Sequence, residues 1–269
     1  MTTSMQKLFH SGGTGSGFEG HKGRSGVVGG SLPRGSGSGT DPYAGIAEQF
    51  REHSGLGVFP STDQDDPYDR KSNQVLHDTM SKEIYDNLDL AQITSLEKYS
   101  NGSYGNINKE LRNPEIGYAN SEYSDTIDNI DSVLEMPETE LSENILIYRG
   151  TQINREKYGK VIELLQSARD PNLHVVYQDN GYFSASSSIH RAIGFSADTS
   201  DDEAFNIFFE IQVDKGTNVL AMDNRINAHN EEEVLMGRGT KFEILHYTEE
   251  QEDMPSDVYD AKIVMRALP

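Results

Sequence analysis

The chain has 269 residues, with 23 basic against 44 acidic side chains, a net charge of −21 and no cysteine. That length can bury a sizeable core in one or two domains. The charge argues against non-specific binding to nucleic acid, whose phosphates it would repel, and the missing cysteines exclude disulfides and thiolate chemistry.

Residues Met1 to His10 lack the long apolar centre of a secretory signal, and no apolar run approaches the length of a membrane span. From Ser11 to about Asp41 glycine and serine dominate. Such a stretch buries too little apolar surface to offset its ordering entropy, so it reads as a disordered tail. Gly15-Ser16-Gly17-Phe18-Glu19-Gly20 matches a dinucleotide fingerprint in letters only, with no strand before it and no helix after it. A short helix is expected from Tyr43 to His53. Ser61 to Arg70 is an acidic, turn-rich link; its aspartates do not make a calcium loop, because the sixth position is Tyr68 where a calcium loop needs glycine.

Folding is expected to begin near Ser72, which divides the chain into a segment 1–71 and a folded domain 72–269. Spaced apolar residues predict helices at Val75 to Leu88 and Leu90 to Tyr99, with a shorter one at Tyr104 to Leu111. Ile127, Ile130, Val133 and Leu134 form one helical face, which Pro137 terminates. The period then changes. Ile145 to Tyr148 reads as a strand, and Tyr158, Val161, Ile162 and Leu165 as a helix face. Phe205, Ile207, Phe209, Ile211 and Val213 alternate with polar residues as in a half-buried strand. Phe208 breaks the alternation and predicts cover on both faces. Further strands are expected at Asn218 to Met222, Glu232 to Met236, Lys241 to Tyr247 and Lys262 to Ala267. Helices first and strands second give an α+β class.

Three segments carry chemistry-bearing residues: Ile147-Tyr148-Arg149-Gly150; Tyr182-Phe183-Ser184-Ala185-Ser186-Ser187-Ser188; and Glu231-Glu232-Glu233-Val234-Leu235 with Arg238-Gly239-Thr240. Singly, each has a bland explanation: a surface arginine, a polar turn, a solvated acidic run. An arginine, a serine-rich strand and a paired glutamate in that order, each at or near a strand, make a constellation. It resembles the mono-ADP-ribosyltransferases of the Arg-Ser-Glu class, the group of the actin-modifying binary toxins and related bacterial and phage enzymes. The resemblance runs from about Ser72 to the C-terminus. Tyr99 to Arg112, with Tyr104 and Asn108, and Ala192-Ile193-Gly194-Phe195 add to it.

This resemblance implies N-terminal helices packed on a core of two mostly antiparallel sheets. It implies NAD⁺ as co-substrate, bound by Arg149, Gly150, Tyr99, Tyr104, Asn108, Ser184, Phe195 and Glu233. Arg149, Ser184, Glu231 and Glu233 would be the catalytic set. Glu233 would hold a ribose hydroxyl and offset positive charge building on the ribose, Ser184 would steady Glu233, and the Arg149 fork would take phosphate. Glu231, two residues from Glu233 and on the same side if the segment is a strand, implies an arginine acceptor, with the loop Asp223 to Asn230 helping to recognise the target. Two positions depart from the family pattern: Ala185 stands where the serine motif has a hydroxyl, and Asp198 where an arginine is frequent, with Arg191 a candidate substitute.

The expected partner is a target protein with an accessible arginine, actin among the candidates, and the chain would be a toxin or phage-encoded effector. The tail suits loading into an injection apparatus or phage particle, for action in a target-cell cytoplasm. Neither nucleic acid nor membrane is expected as a partner, and the eight scattered histidines predict no metal. The same site would serve an NAD glycohydrolase. A structural or carrier protein that kept only the fold is a third reading, against which intact Arg149, Ser184 and Glu233 weigh.

Overall fold

The computed structural model describes residues 3–4, 74–113, 121–154, 175–196, 204–223, 232–249 and 259–268, with positions 159, 163, 166, 167 and 226. The glycine-rich tail, the expected helix at 43–53, the acidic link, most of the expected helix at 158–165, Asp198 and Glu231 lie outside the described residues.

Among the described elements most helices precede the long strands. A π-helical segment, Gln74–Met80, leads into α1 (Ser81–Tyr85). It is followed by α2 (Leu90–Lys98), which Asp89 and Gln92 start with a reciprocal capping box. A kinked π-helical stretch, Tyr99–Ser103, joins α2 to α3 (Tyr104–Leu111), and Gly102 at φ 109° makes the bend that a side chain would oppose. The predicted apolar face at Ile127, Ile130, Val133 and Leu134 is buried on α4 (Ser124–Leu134), and Pro137 opens the 3₁₀ turn beyond it.

The described residues form nine strands in the order β1-β3-β8-β9-β5-β2-β4-β7-β6. They are β1 (Thr3–Ser4), β2 (Ile145–Asn154), β3 (Val175–Gln178), β4 (Phe183–Ser186), β5 (Ala204–Val213), β6 (Val219–Ala221), β7 (Glu233–Met236), β8 (Lys241–Glu249) and β9 (Ala261–Leu268). Among the described strands only the β1–β3 and β5–β9 pairings are parallel. β2 pairs with β5 along all ten residues, but with β4 through a single register pair, Tyr148 to Ser186. The two sheets expected from sequence are therefore one hydrogen-bonded series with a one-pair seam. β2 also runs six residues past the predicted strand, because Thr151, Gln152 and Asn154 are polar yet still pair with β5.

Alternation along β2, β5 and β9 sorts their side chains onto two faces. One face carries Ile145 and Ile147, Ile211 and Val213, Met265 and Ala267, packed with the helices and β4, β6 and β7. Farther along the same face a second cluster gathers Ile153, Phe205, Ile207, Ala261 and Ile263. The opposite face bears Tyr148 and Phe208 under α5 (Ile189–Ser196), which is the two-sided cover that Phe208 predicted. α5 presses on β2 at Gly150. A Cβ there would stand 1.9 Å from the Ala192 carbonyl oxygen and 2.6 Å from the Ser196 nitrogen. Gly150 is thus a packing glycine, and its close approach holds β2 against α5.

Arg112, at the C-terminal end of α3, ties the helices to the sheet. Its Nε and Nη2 each donate to Asp179, just after β3, at 2.8 Å. Asp179 is 4% exposed and also accepts from the Gly181 amide and the Tyr177 hydroxyl, each at 2.9 Å. Burial pushes its carboxyl up, but the Arg112 charge and these donors outweigh burial and hold it below the usual carboxylate range. Beside this pair, Asn108 accepts from the Tyr182 amide at 2.8 Å and donates to the Tyr99 hydroxyl at 3.1 Å.

Two stability outcomes follow. Gly150→Ala should lower the unfolding free energy by about 3 kcal/mol in urea titrations, because the contact it meets is backbone and cannot move aside. Asp179→Asn should cost about 3 kcal/mol at neutral pH. A lowered folded-state pKa gives stability that is present above the unfolded value, about 4, and lost as pH falls through the folded value. The gap in melting temperature between wild type and Asp179→Asn should therefore narrow below about pH 4.

Candidate active site

Arg149 leaves β2 on the helix-bearing face, between the two apolar clusters and opposite Phe209. Its Nη1 donates to the Ser184 carbonyl at 2.5 Å, and its guanidinium carbon lies 4.6 Å from the centroid of the Phe183 ring. Among the described residues it forms no ion pair. Burial lowers its pKa below the ordinary guanidinium value, and nearby Tyr177 and Asp179 offset this only in part. It stays protonated. A half-buried planar cation that forms no ion pair among the described residues suits a phosphate or pyrophosphate.

Ser184 and Glu233 meet across the β4–β7 ladder. Ser184 pairs with Leu235 and Ser186 with Glu233, so Ser184 and Glu233 are diagonal neighbours on one face. The Ser184 hydroxyl donates to Glu233 Oε1 at 2.6 Å. Glu233 is 8% exposed, so this bond fixes a carboxylate that has little water around it. Ala185 points the other way, into the core opposite Val234, and a hydroxyl there would be buried among apolar groups.

β7 begins at Glu233, one residue later than the sequence predicts, and Glu232 has φ 50°. A left-handed residue thus stands directly before the strand. Glu231 itself lies outside the described residues. The bend at Glu232 is held from β4's end, where the Ser187 amide donates to the Glu232 carbonyl at 2.9 Å.

The expected NAD⁺ contacts divide by exposure. Tyr99 is 1% exposed and edge-on to Tyr182 and Tyr104, with ring centroids 5.6 and 6.3 Å away. Burial raises its pKa above the usual phenol value, and Glu233 adds to the rise, which places Tyr99 within the field of the site. Tyr99 and Asn108 hold the wall of the site together, whereas Tyr104 is half-exposed and keeps surface for a ligand. Phe195 is half-buried on α5, beside the contacts that dock this helix on β2. Arg191 is exposed on the same helix, and no described contact brings it to Arg149. Phe183, Arg112 and Asp179 were given no role in the sequence. The Arg112–Asp179 pair spans 67 residues, so no local spacing reveals it. Three or more metal-type ligands do not cluster anywhere among the described residues, and no described helix is long and apolar enough to cross a membrane. A separate open cleft of about 810 Å³, lined by Asp131, Glu135, Asn180, Arg238 and Thr240 among others, excludes Arg149, Ser184 and Glu233 from its lining.

Through Ser184, the arrangement brings together a guanidinium without an ion pair among the described residues, a hydrogen-bonded carboxylate and an aromatic ring where β2 meets β4. It can hold a phosphate-bearing ligand and place negative charge beside a cation that forms on it. Comparison with known proteins agrees. No curated protein sequence matches the chain. Among solved structures, the chain resembles Plx2a, an ADP-ribosyltransferase toxin from Paenibacillus larvae, at 18% identity and TM-score 0.57, covering 75% of this chain and 96% of that one. The Clostridium limosum C3 exoenzyme is similar at 15% identity and TM-score 0.56, covering 78% and 98%. C3stau2 from S. aureus, solved with NAD, is similar at 16% identity and TM-score 0.54, covering 78% and 99%. At such identities these structures share the fold. The family model for the ADP-ribosyltransferase exoenzyme matches residues 77–266. The chain belongs to that family, the toxin-like mono-ADP-ribosyltransferases for which NAD⁺ is the substrate.

Proposed function

We propose that the chain transfers ADP-ribose from NAD⁺ to arginine side chains of a target protein. The observation that carries the chemistry is the 2.6 Å bond from Ser184 to Glu233, with the Arg149 cation bonded to the Ser184 carbonyl. Arg149 binds the pyrophosphate. Glu233, steadied by Ser184, accepts a ribose hydroxyl. The bond from the ribose anomeric carbon to nicotinamide breaks, and its electron pair leaves with nicotinamide. Positive charge then spreads over the ribose C–O bond. A carboxylate placed in advance stabilises this charge more than it stabilises bound NAD⁺, which is what accelerates the step.

The acceptor reading rests on sequence. Glu231 stands two residues before Glu233, and by family resemblance a glutamate there accompanies arginine targets. Its carboxylate would receive a guanidinium through paired hydrogen bonds and take the proton released when a guanidine nitrogen bonds to the ribose. The chain's charge of −21 favours a basic face on the partner. Actin is the first target to try, and action in a target-cell cytoplasm after delivery belongs to the same proposal.

Labelled NAD⁺ should be incubated with eukaryotic and bacterial lysates. Wild type should label protein bands whose modification maps to arginine. Labelling elsewhere would overturn the acceptor assignment, and free ADP-ribose without labelled protein would favour hydrolysis. Glu233→Gln should lose about a thousandfold in both transfer and hydrolysis, with an unchanged circular dichroism spectrum. Glu231→Gln should reduce transfer far more than hydrolysis, and equal losses would remove the acceptor role from Glu231.

A further inference from the structure

Asp131 of α4 stands where the β4–β7 ladder ends, and each of its oxygens holds the chain beside a different strand. The last register pair of that ladder is Phe183 with Met236. Just before β4, the Tyr182 hydroxyl donates to Asp131 Oδ1 at 2.7 Å, with the Ile127 carbonyl oxygen 2.9 Å away. Just after β7, Arg238 Nε donates to Asp131 Oδ2 at 2.7 Å. One carboxylate thus bridges the entry to β4 and the exit from β7. Tyr182 is fully buried; its amide donates to Asn108 and its ring lies edge-on to Tyr99. Burial, and after it the Asp131 charge, raise its phenol pKa above the ordinary value, so the hydroxyl stays a donor.

We infer that Asp131 is a positioning residue for NAD⁺ cleavage, acting through β4 and β7 on the Ser184–Glu233 bond. β4 has four residues; it pairs with β7 along all four and with β2 through one. A ladder that short resists tilting weakly by itself. Tyr182 adjoins Phe183, whose ring lies against the Arg149 guanidinium, and stands two residues before Ser184. A shift of Tyr182 therefore moves the aromatic ring and the serine hydroxyl together. Asp131 and Arg238 both line the open cleft, with side chains 21% and 31% exposed. A pair so wet adds little to stability, and the Ile127 carbonyl already offers the Tyr182 hydroxyl an acceptor. What the carboxylate adds is direction, because it joins the ends of the two strands whose side chains meet at 2.6 Å. This inference rests on the reading that Glu233, steadied by Ser184, drives cleavage.

The test uses the full chain and the variants Asp131→Ala, Asp131→Asn and Arg238→Gln. Cleavage is read as nicotinamide release, and the stoichiometry of bound NAD⁺ gives the folded fraction. Amide hydrogen exchange is followed in peptides covering residues 182–186 and 233–238, with 205–213 on β5 as the control. Asp131→Ala should lower kcat about tenfold, the rate equivalent of one lost hydrogen bond. KM for NAD⁺ should hold, because Arg149 is anchored on β2 by its ten pairs with β5. The melting temperature should fall by no more than about 4 °C. Exchange should quicken in the β4 and β7 peptides and stay unchanged in the control. Arg238→Gln should act in the same direction to a smaller degree. Asp131→Asn keeps an oxygen to accept from Tyr182 and should restore much of kcat. Unchanged kcat, unchanged exchange in the β4 and β7 peptides, or a fall in kcat no larger than the loss of folded fraction would overturn the inference. If wild type releases no nicotinamide, the cleavage reading falls, and exchange in those peptides alone decides whether Asp131 holds the ladder.

Discussion

A positive charge set into an apolar sheet face organises this molecule. Arg149 leaves β2 between two hydrophobic clusters, with an aromatic ring below it and one carbonyl as acceptor. Among the described residues no carboxylate pairs with it; a guanidinium in such surroundings is costly, and proteins keep such a group where a ligand completes it. Its placement requires β2 to be immobile. The ten-residue pairing with β5 supplies that on one edge, and α5 lying against the bare Gly150 backbone supplies it from behind.

The second requirement is a wall opposite the charge. The helices provide it through polar contacts. Arg112 on Asp179 and Asn108 between Tyr99 and Tyr182 lock α3 to the turn after β3. Each of these groups is buried or half-buried, and each has a partner of matching chemistry, so the wall is specific in position where apolar packing alone would tolerate sliding. Catalysis by pre-set electrostatics demands that stiffness, because a donor displaced by an ångström no longer meets the charge it serves.

The α+β order and most elements were legible because their apolar spacing is strong. The face of α4 and the alternation of β5, including its exception at Phe208, describe the packing that is found. Ser184, Glu233 and Arg149 were legible as a constellation, and the fold brings Ser184 and Glu233 into contact across β4 and β7. What stayed hidden is of another kind. Asp179 and Arg112 pair across 67 residues, and Tyr85 reaches Asp223 across 138; neither leaves a local signature. The left-handed turn at Glu232 is also unreadable, since a glutamate in an acidic run gives no hint of positive φ. The bond from Asn108 to the Tyr99 hydroxyl is equally invisible in the sequence, since nine residues of spacing do not announce it.

The seam between β2 and β4 has a mechanical meaning. Arg149 belongs to the long ladder, whereas Ser184 and Glu233 belong to the short one, and a single register pair joins the two. Among the strand pairings between the two ladders the backbone contributes least there, so the spacing between Arg149 and the Ser184–Glu233 pair is set by side chains: the Arg149 bond to the Ser184 carbonyl and the shared core of both ladders.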